Sequence, residues 1–402
     1  MTKTSLQPKP DRVIALDVLR GIALLGILLM NIQSFSMIGA AYINPLAFGD
    51  LTGANKTVWM LSHALADQKF MSIFSMLFGA GILLFTDNVQ KKGFLPLRFF
   101  YRRMLWLLVI GLVHAYLLWH GDILVAYAAC GALAYLFRKM NPLGILAIGF
   151  VLFLVPSFNY WLFGKSMAMW PPEALDDLRL TWAPDQEAIA REVAALTGSA
   201  TQQLLWRIPE AFKMQTFIFL TYMGWRIMGC MLIGMALFRL RFIQAGWRKG
   251  AYALIAATSL AFGYWLIKIG IDKNFAANWS LEYSMFFGSQ WNYYGSLAVA
   301  IGYVSLTMLL VKFWSFQPLA SVGRMAFTNY LLMTIICTFT FYGYGLGFFG
   351  QFERLQQLIF VIAVWVFLIP FSWLWLRKFY FGPVEWFWRY MTYGNKPLFV
   401  RR

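Results

Sequence analysis

Two of the three histidines in this 402-residue chain, His114 and His120, lie close to one carboxylate, Asp122. An imidazole oriented by a carboxylate is the usual protein general base, able to take a proton from a hydroxyl and return it to a leaving group. Tyr127 follows one to two helical turns beyond Asp122. The third histidine, His63, stands at the head of a different apolar run. A histidine within an apolar helix also serves as a packed, hydrogen-bonded group, so each carries that plainer reading beside the chemical one. Three histidines from separate segments, without the i, i+4 spacing of a helical metal site, give no reason to expect a metal.

A second pair with chemical potential is Asp17 and Arg20, one turn apart near the start of an apolar run from Val13 to Ile38. Three residues of separation put both on one helix face, where they can pair. Ionisable groups inside a membrane cost roughly 2.5–3.5 kcal/mol each on insertion scales, so they tend to pair, face the protein interior and mark a functional path. The competing reading is an anchor, with Arg20 reaching to headgroups and Asp17 compensating it. In the stretch GRMAFTNYLLMT, Arg324, Thr328, Asn329 and Tyr330 are polar groups that need partners in an apolar setting. Asn329 reads equally as a hydrogen bond between helices. The stretch FSMLFGAG carries Gly79 and Gly81, with Ser72 and Ser75 nearby; small residues there allow close helix approach or backbone contact with a ligand.

The elements that must hold these groups follow from composition. Sixty per cent of the residues are hydrophobic and 13% charged, which excludes a soluble domain of this length. The net charge of +17 does not imply nucleic acid, because the basic residues fall in short loops between apolar runs, as membrane topology requires. Cys130, Cys230 and Cys337 lie inside apolar runs and offer neither a disulfide framework nor a zinc spacing. The N-terminal stretch has no small-residue cleavage site before a first run too long for a signal peptide, so it is expected to be retained.

Runs of about 17–25 apolar residues mark helical spans, and ten are expected, at 13–38, 62–86, 104–120, 122–137, 142–164, 214–238, 250–271, 291–313, 325–348 and 356–376. The fold class is therefore all-α: a polytopic membrane helical bundle forming a single domain over 1–402. His120 and Gly121 leave room only for a tight hairpin between the third and fourth spans. Lys3, Lys9 and Arg12, the group from Lys91 to Arg103, Arg138 with Lys139, Arg239 to Lys249, Lys312 with Arg324, and the tail 377–402 all fall on one side, which sets both termini in the cytoplasm. The acidic segment 165–213 falls on the other side. Its PDQEAIAREVAAL stretch predicts one short amphipathic helix, and Trp170, Trp182 and Trp206 suit an interfacial belt. The tail, with Glu385 in FGPVEWFWR, is expected to lie along the inner interface.

Five motifs in order, DVLRGIALLGILLMN, FSMLFGAG, HGDILVAY, GRMAFTNYLLMT and GPVEWFWR, resemble the YeiB family of bacterial inner-membrane proteins over essentially the whole chain. The first span also resembles, over a shorter stretch, the opening helix of transmembrane acyltransferases, which include the acyltransferase-3 proteins and heparan-alpha-glucosaminide N-acetyltransferase. In acyltransferase-3 proteins an Arg is followed after ten residues by a His; counting from Arg20 gives Asn31 here. The glucosaminide acetyltransferase is similar to this chain in having Asn there and a key His just before its second span, a place comparable to that of His63.

The resemblance implies an enzyme that passes an acyl group from cytoplasmic acyl-CoA to a glycan or lipid acceptor on the periplasmic side. Arg20, fixed by Asp17, would meet donor phosphate or a developing oxyanion, and Asn31 the acyl carbonyl. His114 or His63 would act as base, with Asp122 orienting it and Tyr127, Arg324 and Asn329 contacting substrate. Membrane lipids and the two substrates are the expected partners, and a homodimer stays open. A transporter or lipid-handling protein would use the same residues, with the Asp17–Arg20 pair as a gate and His114 with Asp122 relaying protons.

Overall fold

The computed structural model describes residues 13–401. Lys3, Lys9, Arg12 and Arg402, which entered the topology argument, lie outside them. The first half of the chain runs through α1 (Ile14–Ser36), a short α2 (Gly39–Ile43), α3 (Gly53–Leu65), α4 (Lys69–Gln90), α5 (Pro96–Val113), α6 (Leu124–Ala134) and α7 (Pro142–Ser166). Then come α8 (Pro172–Trp182), α9 (Gln186–Thr197), α10 (Ala200–Lys213), α11 (Gly224–Arg239), α12 (Lys249–Ala276) and α13 (Ser289–Leu310). The chain finishes with α14 (Gln317–Arg324), α15 (Ala326–Phe341), α16 (Arg354–Lys378) and α17 (Pro383–Tyr393). One isolated bridge, Phe379 with Val400, is the sole strand-like pairing among the described residues.

The result is an all-α polytopic bundle. Among the described residues, eight helical stretches are long and apolar enough to cross a bilayer, and α14 with α15, bent by 80°, makes a ninth when the pair is counted as one span. The tenth expected span is α6 continued by a 3₁₀ turn, Tyr135–Lys139, at 11 and five residues too short for that criterion. Some boundaries differ from expectation. The second span begins at Gly53 and is broken at residues 66–68, so His63 sits in the last turn of α3 and does not open the membrane helix. The ninth begins at Gln317 and ends at Phe341, leaving 342–348 as loop.

Burial orders the bundle. In α1, 67% of the most apolar window is buried, against 22% in α7 and in α16. The first is therefore the axis, packed against α4, α14, α15 and α16, while Phe150, Val151, Ile359 and Val366 of the other two face outward. Two glycine pairs let backbones touch, as small residues do between membrane helices. A Cβ on Gly79 would collide with the Met231 carbonyl and one on Gly234 with that of Met76, which locks α4 to α11. Gly21 and Gly323 do the same for α1 and α14. Gly81, its companion in the FSMLFGAG stretch, faces open space.

The two ends of the bundle differ. At one, segment 165–213 holds three helices where one was expected. Each has its own start signal: Pro172 in the first turn of α8, the Asp185 side chain accepting from the Ala188 N–H, and a Ser199–Gln202 capping box. The three are tied down as a cap, α10 through Arg207, which donates to the Leu117 carbonyl at 2.6 Å. Asn44 donates to the Trp182 carbonyl at 3.0 Å, the Trp182 indole to Trp279 at 2.8 Å, the Gly39 N–H to Glu192 at 2.9 Å and the Gly343 N–H to Leu196 at 2.9 Å. Trp182 is thus buried with Trp59 and Trp279 and does not lie in an interfacial belt. The opposite end carries the basic loops; there the Arg239 guanidinium bonds the carbonyls of Arg138 and Met140. There too α17 packs on α5, with the Trp388 indole donating to Arg103 at 3.0 Å.

Candidate active site

At the cap end α5 does not stop cleanly. Its last residues widen into a π turn, His114–Leu118, before the hairpin to α6. Such turns recur at functional sites because they re-aim a side chain. The turn points His114 inward, where its ring is buried and its Nδ1 lies 2.7 Å from Asp122 Oδ1. The other carboxylate oxygen of Asp122 accepts the Val125 N–H at 2.8 Å, so the N-terminal turn of α6 fixes the orientation of the carboxylate. On the opposite ring edge Nε2 meets Thr334 Oγ1 of α15 at 3.0 Å. With Asp122 receiving the Nδ1 proton, Nε2 of a neutral ring is an acceptor aimed at that hydroxyl. Carboxylate, imidazole and hydroxyl stand in line, the arrangement that activates an oxygen nucleophile.

The surroundings are narrow and mostly apolar. Tyr330 lies 5.1 Å from the imidazole ring and Trp119 6.4 Å. A small cleft beside them is lined by Asn31, Phe35, Trp119, Tyr330 and Thr334. Asn31 therefore shares a space with the hydroxyl that His114 holds. His120 is apart, in the hairpin; burial, with Arg207 and Lys213 adding repulsion, pushes its imidazole down to about 4, which keeps it neutral.

The other expected residues fall elsewhere. Asp17 and Arg20 pair at 3.3 Å as their spacing predicts, near the basic end. On α1 Arg20, Ile27 and Asn31 are only partly buried, unlike the neighbours between them such as Ala23 and Leu24. Tyr127 bonds Ser75 at 2.9 Å and stacks on Phe78 at 5.3 Å, bridging α6 to α4. Asn329 donates to Ser372 at 2.8 Å and to the Val322 carbonyl at 3.2 Å, which makes it a bond between α15, α16 and α14. Arg324 reaches the Tyr380 carbonyl at 3.5 Å. Glu385 takes the N–H groups of Phe327 and Thr328 at 2.7 and 3.0 Å and so caps α15; burial holds its carboxyl above the usual range against those bonds.

His63 has its own cluster, sharing no partner with His114 among the described residues. Its Nδ1 lies 3.2 Å from Asp67, its ring stacks on Trp59 at 5.0 Å, and Asp67 also accepts from Asn292 at 2.7 Å. Reasoning from sequence missed four participants: Thr334, Asp67, Lys69 and Arg226. For the last three a signal existed, since the cost of charge within a span, applied to Asp17 and Arg20, applies equally to them. No group of three or more histidine, cysteine or acidic side chains is placed to hold a metal among the described residues.

Comparison with known proteins places relatives around this geometry. A family model described as "Protein of unknown function (DUF418)" matches residues 237–395, which contain Tyr330 and Thr334 while His114 and Asp122 precede them. The chain is 34% identical to the uncharacterized protein YeiB of Escherichia coli (strain K12), over 95% of this chain and 96% of the relative. It is 32% identical to the uncharacterized protein YxaH of Bacillus subtilis (strain 168), over 97% of each.

Proposed function

The chain belongs to the YeiB-like family of multi-pass membrane proteins, and from that premise we propose that it is an acyltransferase, moving an acyl group from acyl-CoA at the basic end to a glycan or lipid acceptor at the cap end. The observation that carries this reading is His114, held between Asp122 at 2.7 Å and the Thr334 hydroxyl at 3.0 Å beside a cleft that Asn31 enters. Excess Lys and Arg mark the basic end as cytoplasmic, so a bacterial chain of this kind sits in the inner membrane with both termini inside.

Arg20 and Asn31 lie eleven residues apart on one helix, about 16 Å along the axis and nearly on the same face. That is the separation an extended pantetheine arm places between its diphosphate and its thioester. Arg20, steadied by Asp17, takes donor phosphate; Asn31 donates to the thioester carbonyl oxygen, where charge develops in the transition state. The Thr334 hydroxyl marks where the acceptor hydroxyl is presented. His114 Nε2 removes that hydroxyl's proton as its oxygen attacks the thioester carbon, and returns the proton to the departing CoA sulfur. Asp122 holds the imidazole tautomer and balances the transient imidazolium. Tyr330 and Trp119 exclude water.

Thiol release from acetyl-CoA and from a long-chain acyl-CoA, measured on the detergent-purified protein with and without an envelope extract, tests the class. Saturable release that His114→Gln removes supports acyl transfer. A transporter or lipid-handling protein is the second reading, favoured by the broken second span and the bent α14–α15 pair, since discontinuous helices often frame transport sites. Substrate movement into vesicles with no covalent change supports it instead.

A further inference from the structure

The break between α3 and α4 gathers charge that acyl transfer at His114 does not use. Gln68 sits there at φ 64°, ψ −15°, a left-handed backbone costly for a residue with a Cβ. It is pinned in place: its amide oxygen accepts from Tyr222 at 3.2 Å, and its carbonyl accepts from Ser72 Oγ at 2.8 Å. The break turns Lys69 inward, where it is 0% exposed. Its ammonium donates to the His63 carbonyl at 2.6 Å and to Asn292 Oδ1 at 2.7 Å, both neutral oxygens, and one of its three protons remains. Arg226 of α11, also 0% exposed, spends Nη2 on Ser72 at 3.0 Å and Ser296 at 2.8 Å. Its Nε and Nη1 have no acceptor among the described residues. The guanidinium is backed by Tyr293 at 4.5 Å and Phe153 at 5.3 Å.

Two basic side chains and one carboxylate, Asp67, thus share a buried site within a membrane bundle, and that carboxylate already serves His63 and Asn292. An uncompensated buried cation with idle donors is expensive, and a bound anion relieves it. We propose that the broken second span is a binding site for the oxyanion group, carboxylate or phosphate, of a ligand entering from the cap end. Arg226 Nε and Nη1 take its oxygens and Lys69 adds its remaining proton. Tyr42 of α2, 38% exposed at the cap and within electrostatic reach of Asp67, Tyr222 and Arg226, marks the way in. The site stands whether or not acyl transfer occurs; where it does occur, the acceptor carries negative charge.

The test is thermal unfolding of the full-length, detergent-purified protein at pH 7 in sodium phosphate or sodium acetate, against sodium chloride at equal ionic strength. The expected result is a rise in Tm of ~2–4 °C that saturates with the anion and is lost in Arg226→Met, or in Lys69→Met should the first variant fail to fold. General stabilisation of the compact state by exclusion of phosphate from the protein surface does not saturate and is common to every variant. Saturation by phosphate alone assigns a phosphate-bearing ligand, by acetate alone a carboxylate, and by both an oxyanion site indifferent between them. The absence of a saturable rise with either anion, or a rise that survives in the variant, overturns the proposal.

Discussion

His114 illustrates how the chemistry open to one side chain depends on two others. Alone in an apolar helix an imidazole is ambiguous; between Asp122 and Thr334 each of its ring nitrogens has a hydrogen-bond partner. Replacement by Gln keeps volume and a hydrogen bond while removing basicity, so turnover of acyl-CoA should fall by about 10²–10⁴ with folding retained; an unchanged kcat in intact membranes contradicts the role. Arg20→Ala should raise KM for acyl-CoA and leave kcat nearly as it was, because it removes binding common to ground and transition states, and an unchanged donor Kd by calorimetry argues against donor contact. The sequence made His114 and Asp122 readable because a hairpin of a few residues joins them. Thr334 was not readable, since it arrives 220 residues later in the chain, and only packing of α15 against the end of α5 brings it there. Asn329, one of several polar residues in the same motif, turned out to join helices.

At the level of elements, apolar run length gave most of the spans, while the fourth, 122–137, falls short of a full crossing length. Run length gave no hint of the break at residues 66–68, because no glycine or proline marks it; Gln68 is held left-handed there by a local bond from Ser72 and by Tyr222, a partner from tertiary structure. Of the three cap helices α9 was read from the PDQEAIAREVAAL stretch, whereas α8 and α10 carried local signals, Pro172 and Ser199, but sat in an acidic stretch otherwise read as loop. Backbone contact between α4 and α11 yields a direct prediction. Gly234→Val inserts a side chain where the Met76 carbonyl lies, and should destabilise the protein by about 1–3 kcal/mol or more; Gly81→Ala, facing open space, should be nearly neutral. Unfolding midpoints of the two variants in one detergent check this contrast.

For the whole molecule, α1 is the axis between the helical cap and the basic end, and the proposed acyl transfer assigns acceptor presentation to the first and donor charge to the second. The cap has a titratable clasp in Glu192, which accepts the Gly39 N–H at 2.9 Å. Burial first, and Glu210 in addition, raise its carboxyl from the usual 4.5 to about 7. The folded state then binds that proton more tightly than the unfolded chain, so this contribution to stability is greatest at low pH and declines as pH rises from about 4.5 to about 7. Glu192→Gln should flatten the pH dependence of Tm across that window, and a slope identical to wild type contradicts the assignment. The central claim is acyl transfer through His114, and thiol release from acetyl-CoA by purified wild-type and His114→Gln protein, with an envelope extract as acceptor source, tests it most directly. Saturable release in the wild type that the variant loses is the predicted result; no release above background from either short or long acyl donors, by a folded protein, contradicts it.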